Sequence, residues 1–401
     1  MTIHTTSTLT YETHTQYYET YIREAMFNRL YDQYALPFPG GRMDELMKGS
    51  SVQYAFLSDM DPGVTAISQV ADVDPQTLRD AYASITPTSR GEALQWSQES
   101  EIVHTTNLME ERAMKLGKNM MESVDLLAQA QALQGTFVYR AAARASLDAG
   151  TSGNRASDAL FSRMQGYLQN LRVPGFITAD GGYNENWAAT MHPYVFHDIR
   201  ESGNVDSIGL YQNGGIHLNF EMGKIGPFRI ISNAWAKVFY GAGADAASNV
   251  ATTLNGAVNA LATTIVVAAD TNIAAGQWLS IGTEETANTH YPTNERVYVV
   301  SNDTVTVTIL GEGPNGGLRF DHASGEAVRN ADSVYPIVFG GPFSLVKLYA
   351  TDVGEYGQLV GPKRTGLLDQ FVSLGWKWWG GYSRLVDNRV LRVEVSTSFE
   401  A

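Results

Sequence analysis

From 249 to 335 the chain contains no lysine, three arginines (Arg296, Arg319 and Arg329), nine acidic residues and twelve threonines. Within this window, runs at 264–267, 277–281, 296–300 and 304–309 are rich in Val, Ile and Thr, and the last alternates strictly. A period of two puts successive side chains on opposite faces, the pattern of a half-buried strand. Gly, Asn and Asp turns between such short runs predict a small β-sandwich or barrel. Helix-and-strand texture lies on both sides of the window, so 249–335 reads as an insertion. A body interrupted in this way must build its sheets from segments far apart in sequence.

The first part of that body is an arm, residues 1–50, rich in Thr, Tyr and His and briefly helical before Pro37, Pro39, Gly40 and Gly41 stop it. Aromatic residues with few neighbours in sequence to pack on are expected to lie across something else, such as another subunit. Residues 51–104 carry no sustained helical period and are broken by Asp61-Pro62-Gly63, Asp74-Pro75 and Thr86-Pro87. They predict an extended loop with short strands, including one through Ala93 to Ser97.

The clearest helix starts after Asn107, a candidate N-cap with Glu110 near the positive end of the dipole, and runs to Gln134. Ala113, Leu116, Met120, Val124 and Leu127 form one apolar stripe, and a helix of that length is a rod of about 40 Å. A second helix is predicted around Ala159–Leu171, and strands at Tyr194–Phe196, Phe228–Ile231 and Val390–Val395. The domain reading is 1–50 arm, 51–104 extended loop, 105–150 spine helix, 151–248 mixed α and β, 249–335 insertion, 336–375 return, and 376–401 closing strand.

Composition removes several functions. The 42 acidic residues against 28 basic ones give a net charge of −14, which opposes a broad electrostatic grip on phosphate backbone. The absence of cysteine excludes disulfides, Cys-type zinc sites and thiol nucleophiles. The opening residues lack a basic n-region and an apolar h-region, and no run approaches 18 apolar residues, so an unsecreted chain with no membrane span is expected.

Several constellations could carry chemistry, and each has a structural reading. His192 and His197 are five apart, which fits neither one helix face nor one strand face, so neither is assigned as a metal ligand. Gly311 to Gly316 satisfies G-x-G-x-x-G, yet Pro314-Asn315-Gly316-Gly317 is turn chemistry and no helix start follows. Asp59/Asp61, Asp72/Asp74 and Glu284-Glu285 could pair as in a glycosidase, but lie in turn-rich segments where such residues cap or are solvated. Arg140, Arg144, Arg155, Arg163 and Arg172 form a locally basic stretch, read as a subunit contact in preference to nucleic acid. Trp376-Lys377-Trp378-Trp379 is either core or an exposed stacking platform. No cofactor, metal or catalytic residue is assigned.

The order of parts resembles the major capsid protein of tailed bacteriophages, whose shell fold is shared with encapsulins. The likeness is nearest to the schitovirus-type branch of short-tailed phages. It is carried by Met191-His192-Pro193-Tyr194, by the run from Phe220 to Ile231, and by Gly375-Trp376-Lys377-Trp378-Trp379 with Arg389, Arg392 and Glu394. The resemblance implies an α+β fold of N-terminal arm, extended loop, spine helix, and peripheral and axial domains. Segments 151–248 and 336–375 would then be axial, and 376–401 would return to the peripheral domain. It implies self-assembly into hexamers and pentamers of a virion shell around double-stranded DNA, without sequence-specific binding or membrane, formed in the host cytoplasm. Scaffolding, portal and decoration proteins are the implied partners.

Residues 52–100 contain no lysine, so the loop-lysine crosslink of some relatives is not expected and noncovalent contacts would hold the shell. Candidate contact residues are Tyr17, Tyr18, Tyr21 and Phe27 in the arm, Trp96 in the loop, and Arg112 on the spine helix. Two other readings stay open: an encapsulin-like compartment, separated by its contents, and a carbohydrate-binding or carbohydrate-hydrolysing protein, separated by its small size in solution.

Overall fold

The computed structural model describes residues 42–46, 51–57, 60, 62–63, 75–77, 80–99, 108–173, 175, 187–201, 221–246, 249–282, 293–341, 344–350, 355, 357–365, 370–384 and 386–400. The chain begins with strands β1 (Arg42–Leu46), β2 (Val52–Leu57), β3 (Asp80–Ile85) and β4 (Thr88–Ser97), followed by the long helix α1 (Leu108–Leu133). Then come β5 (Val138–Arg140), α2 (Asp158–Asn170), β6 (Trp187–Met191), α3 (Pro193–Glu201), β7 (Glu221–Ile225) and β8 (Phe228–Ser232). The Lys-free window holds β9 (Ala251–Thr253), β10 (Thr264–Val266), β11 (Trp278–Ile281), β12 (Glu295–Asp303), β13 (Thr306–Leu310) and β14 (Ala327–Arg329). The last third is β15 (Tyr335–Gly340), β16 (Leu345–Ala350), β17 (Gln358–Thr365), β18 (Phe371–Arg384) and β19 (Val390–Val395).

One sheet runs β1-β16-β18-β17, with β4 on β18. Its centre is β18, 14 residues long, in which Val372, Leu374, Trp376 and Trp378 alternate inward. They meet the predicted stripe of α1, where Ala113, Leu116, Met120 and Val124 are buried. Polar ends of the indoles are matched: Trp376 Nε1 donates to Asn119 Oδ1 (2.9 Å) and Trp378 Nε1 to the Glu355 carbonyl (3.1 Å). The Trp-Lys-Trp-Trp run is thus half core and half surface, since Lys377 and Trp379 point the other way. The hairpin β2–β3 packs Tyr54 and Ile85 on Val346 and Leu348, on the face away from α1.

The second sheet runs β5-β19-β15-β6-β8-β7. Phe161, Met164 and Leu168 of α2 and Val195 and Ile199 of α3 bury against Trp187, Phe228, Phe339 and Leu391. The α1 core extends to Ala188, Ile231 and Val338 of this sheet, so one helix is packed on both sheets. Sheet membership divides the last third differently from the sequence expectation. Strands β16 and β17 join the sheet of α1, whereas the closing strand β19 joins the sheet of β6 and β8.

The strand expected at Tyr194–Phe196 is helical instead. Pro193 sits at the first helical position, where its fixed φ suits a helix and its missing N–H costs nothing. The i, i+4 pair Val195 and Ile199 then supplies the buried face. The strand expected through Ala93 to Ser97 is the end of the longer β4, which pairs with β18 from Phe371↔Ser97 to Gly380↔Thr88.

The third sheet, β10-β13-β12-β11-β14-β9, is wholly antiparallel. Its outermost strands meet at their ends, where Leu254 bridges Val267 and Ala268 N donates to the Thr253 carbonyl (2.8 Å). The sheet therefore curls on itself around Ile265, Leu279, Val297, Val299, Val307 and Ile309. The G-x-G-x-x-G segment is a turn, closed by Gly311 N to the Gly316 carbonyl and carrying Asn315 at φ 60°.

Gly380 marks the tightest packing in the α1 sheet: a Cβ there would overlap the Trp378 indole and meet the Leu348 carbonyl oxygen at 2.5 Å. Gly380→Ala is therefore expected to cost about 1–3 kcal/mol through overpacking, read as a lowered midpoint in chemical unfolding, whereas Gly153→Ala, which faces open space, should change it little.

Candidate functional site

Of the six sequence-predicted contact residues, Tyr17, Tyr18, Tyr21 and Phe27 lie outside the described residues. The other two meet each other. Trp96 is the penultimate residue of β4 and is 8 % exposed, and the Arg112 guanidinium lies 4.4 Å above its ring from the second turn of α1. A cation held over an indole face gains about 0.5–2 kcal/mol depending on desolvation. The pair fixes the end of the extended segment to the start of the long helix.

At the opposite end of α1 the last turn has no basic residue of its own, although its terminal carbonyls need donors. Two arginines from distant strands supply them. Arg384 of β18 donates to the Gln131 carbonyl (3.0 Å), and Arg392 of β19 donates to the Leu133 carbonyl. Arg392 is 7 % exposed and lies 3.3 Å from Glu394, whose side chain is fully buried. Glu394 also accepts from Arg140 and twice from Arg144, through Nε at 3.0 Å and through a terminal nitrogen. Burial alone would raise the Glu394 carboxyl, but the hydrogen bonds from Arg144 and Arg140 outweigh it and hold the group below its usual range.

Four of the five arginines in the basic stretch are therefore engaged within the chain. Arg140 and Arg144 bind Glu394, Arg155 donates to the Ala149 carbonyl, and Arg163 donates to the Tyr139 hydroxyl. The polar patch suggested by their spacing is largely an internal framework. Sequence reasoning missed it because the acid that collects two of them is about 250 residues away.

Where the module meets the body, three consecutive residues each make a different bond. Asn294 Nδ2 donates to the Tyr240 carbonyl (3.0 Å), and Arg296 pairs with Glu400, which also accepts from Ser333 N and the Tyr335 hydroxyl at 2.6 Å. Between them, Glu295 accepts from the backbone N–H groups of Arg319 (2.8 Å) and Phe320 (3.1 Å) and meets His322 Nε2 at 2.9 Å. The other ring nitrogen of His322 meets Glu326 at 2.7 Å. Burial would lower the His322 pKa, but the hydrogen bonds to Glu295 and Glu326 prevail and raise it. A cavity of about 400 Å³ beside this junction is lined by Tyr240, Ser280, Asn294, Glu326 and Arg329.

His192 caps α3, accepting from Tyr194 N at 3.3 Å, and its ring packs against Tyr194 and Tyr335. Burial lowers its pKa to about 4. His197 lies on the exposed side of α3, 3.8 Å from Glu201. Among the described residues no group of three His, Asp or Glu side chains has metal-binding geometry. The carboxylate pairs at Asp59/Asp61, Asp72/Asp74 and Glu284-Glu285 lie outside the described residues. The buried acids Glu295, Glu394 and Glu400 are matched by donors, an arrangement that fastens strands together.

No protein-family model and no curated protein sequence matches this chain. Solved structures do. The chain is similar to the capsid of Ralstonia phage GP4, with a TM-score of 0.53 at 11% identity over 88% of this chain and 86% of that one. Likenesses of TM-score 0.49 and 0.47 are found to the capsid of cyanophage P-SCSP1u (10% identity, 89% and 86% covered) and to the head of Helicobacter pylori bacteriophage KHP40 (11%, 89% and 86%). The chain has an α+β fold, that of the Ralstonia phage capsid chain.

Removing the charge that collects three arginines is expected to be costly: Glu394→Gln should destabilise the chain by about 3–5 kcal/mol, measured by chemical unfolding. The two histidines, His322 and His192, should act in opposite directions of pH. His322, with its pKa raised, contributes stability that is full below about 6.5, its unfolded pKa, and is lost as pH rises through the folded value. His192, lowered to about 4, contributes stability that is full above about 6.5 and is lost as pH falls towards its folded pKa. Thermal melts from pH 4 to 9 should show the alkaline limb flattened by His322→Gln and the acid limb by His192→Asn.

Proposed function

We propose that this chain is the major capsid protein of a tailed-phage head, a structural subunit and not an enzyme. The observation that carries the reading is the fold likeness to the Ralstonia phage capsid along nearly the whole of both chains. An acidic surface agrees with it, since a wall of net charge −14 repels a packaged polyanion and does not trap it. In this reading many copies form hexamers and pentamers that enclose double-stranded DNA without reading its sequence, and the virion shell is their final location. Assembly in the host cytoplasm, with scaffolding, portal and decoration proteins as partners, belongs to the same proposal. So does membership of the schitovirus-type branch, supported by the residue runs around His192, Glu221 and Trp376.

Within the subunit, α1 and its sheet take the peripheral role, the sheet of β6, β8 and β15 the axial role, and the β-module an insertion. The arm aromatics Tyr17, Tyr18, Tyr21 and Phe27 are proposed to contact a neighbouring subunit. Trp96 and Arg112, joined within one chain, would present a rigid corner for the same purpose. Encapsulin-like shells share the fold and differ in what they enclose.

Expression of the chain, alone and with the neighbouring phage proteins, should yield capsomers or shells in light scattering and negative-stain microscopy. Nuclease-protected DNA in shells from infected cells supports the phage assignment, enclosed enzyme would replace it with the compartment reading, and a monomer under both conditions would overturn the proposal.

A further inference from the structure

Among the described residues, the face of the α1 sheet turned away from the helix is covered at one end, where the β2–β3 hairpin lies on Val346 and Leu348. Beyond that hairpin, three strands lie side by side with their outward residues in register. On β18 these are Phe371, Ser373, Gly375, Lys377 and Trp379. Opposite them stand Ser97, Gln95, Ala93, Gly91 and Ser89 of β4, and Thr365, Lys363, Val360 and Gln358 of β17.

Two features set this face apart. On these three strands the outward charged residues are lysines, Lys363 and Lys377, both exposed, and none of the described outward positions of β4, β17 and β18 is acidic in a chain with 42 acidic residues. It also carries two large exposed apolar side chains, Phe371 at 44 % and Trp379 at 37 % exposure. They stand eight residues apart on one strand, about 26 Å at 3.3 Å per residue. Between them the floor is low, because Gly375 pairs with Ala93 and Gly91 lies beside Lys377. Bulk on that floor is sterically barred: a Cβ on Gly375 would meet the Glu92 carbonyl at 2.8 Å.

We propose that this open face, with Lys363 and Lys377 between the anchors Phe371 and Trp379, is a contact surface for an acidic segment of a second copy of this chain. The proposal rests on the shell reading above and specifies one surface through which the copies meet. Charge complementarity selects the occupant. A chain of net charge −14 offers acidic surface to its neighbours in abundance, and most like-on-like contacts between copies would be repulsive. Three strands whose outward charges are lysines are where a neighbour's carboxylates can be paired, and the aromatic ends provide the apolar anchors typical of interface centres.

The test is charge reversal in the full chain: Lys363→Glu with Lys377→Glu, beside Arg329→Glu as an exposed cation on the module. Assembly is followed by light scattering and microscopy, folding by thermal unfolding and circular dichroism. The double variant should keep the wild-type melt yet lose at least tenfold in assembled particles, while Arg329→Glu assembles normally. A milder pair, Lys363→Gln with Lys377→Gln, should assemble with a weaker salt dependence than wild type. Normal assembly of the double Glu variant would overturn the proposal, as would normal assembly with reduced DNA retention, which assigns the lysines to nucleic acid. A wild-type chain that never assembles overturns the shell reading and this surface together.

Discussion

The carboxyl end of α1 is the point on which the two main sheets depend. A helix of 26 residues ends there with no basic residue in its last turn, so its free carbonyls and negative dipole end must be met from elsewhere. Arg384 ends the central strand of one sheet, and Arg392 lies on β19, an inner strand of the other. Each arginine ties its strand to the same helix terminus, so the angle between the sheets is set by two hydrogen-bonded contacts as well as by packing. Burying Arg392 then creates a second requirement, a buried counter-ion, which Glu394 meets two residues along the same strand. Glu394 in turn draws in Arg140 and Arg144 and so fixes the chain leaving α1. One unsatisfied helix end thus accounts for a chain of four charged residues.

The module is attached by the same logic on a smaller scale. Residues 294–296 direct one side chain each to the body, to the module's own turn and to the chain's final residues. Arg296 also lies 4.7 Å over the Trp278 ring, so the ion pair with Glu400 is backed by an indole on the module side. Because Glu295 holds both His322 and the backbone at 319 and 320, the internal bonding of the module and its seat on the body share one carboxylate. Loosening either is felt by the other.

Local periodicity made the elements legible, and long-range charge kept their assembly illegible. The stripe Ala113, Leu116, Met120 and Val124 announces α1 because a helix repeats its buried face within a few residues. Alternation at 304–309 announces β13 for the same reason. The pairing of Arg392 with the end of α1 carries no local signal, since its partner carbonyl lies 259 residues away. Arg392 and Glu394 stood out only as part of a family texture, and their spacing of two on one strand face was the remaining hint of an ion pair. The helix at Pro193 was missed because nine residues hold too few turns for a period to show, although His192 before a proline was a start signal. Trp96 and Arg112 were found as residues but not as a pair, because a loop and a helix face share no sequence register.

Where the cations go also bears on how copies of this chain could meet. Arg140, Arg144, Arg155 and Arg392 are bound inside the subunit, and Arg296 and Arg384 are tied to Glu400 and Asp387. Part of the positive charge therefore stabilises the fold, in a chain with 28 basic against 42 acidic residues. Surface charges are screened beyond about 8–10 Å at ordinary salt, so repulsion between copies is local and can be relieved at a few points. Aromatic burial gives such contacts most of their energy, and lysines facing a neighbour's carboxylates fix register more than strength. An acidic subunit with several of its arginines engaged within the fold is thus suited to contacts that are few, positioned by charge and anchored by rings.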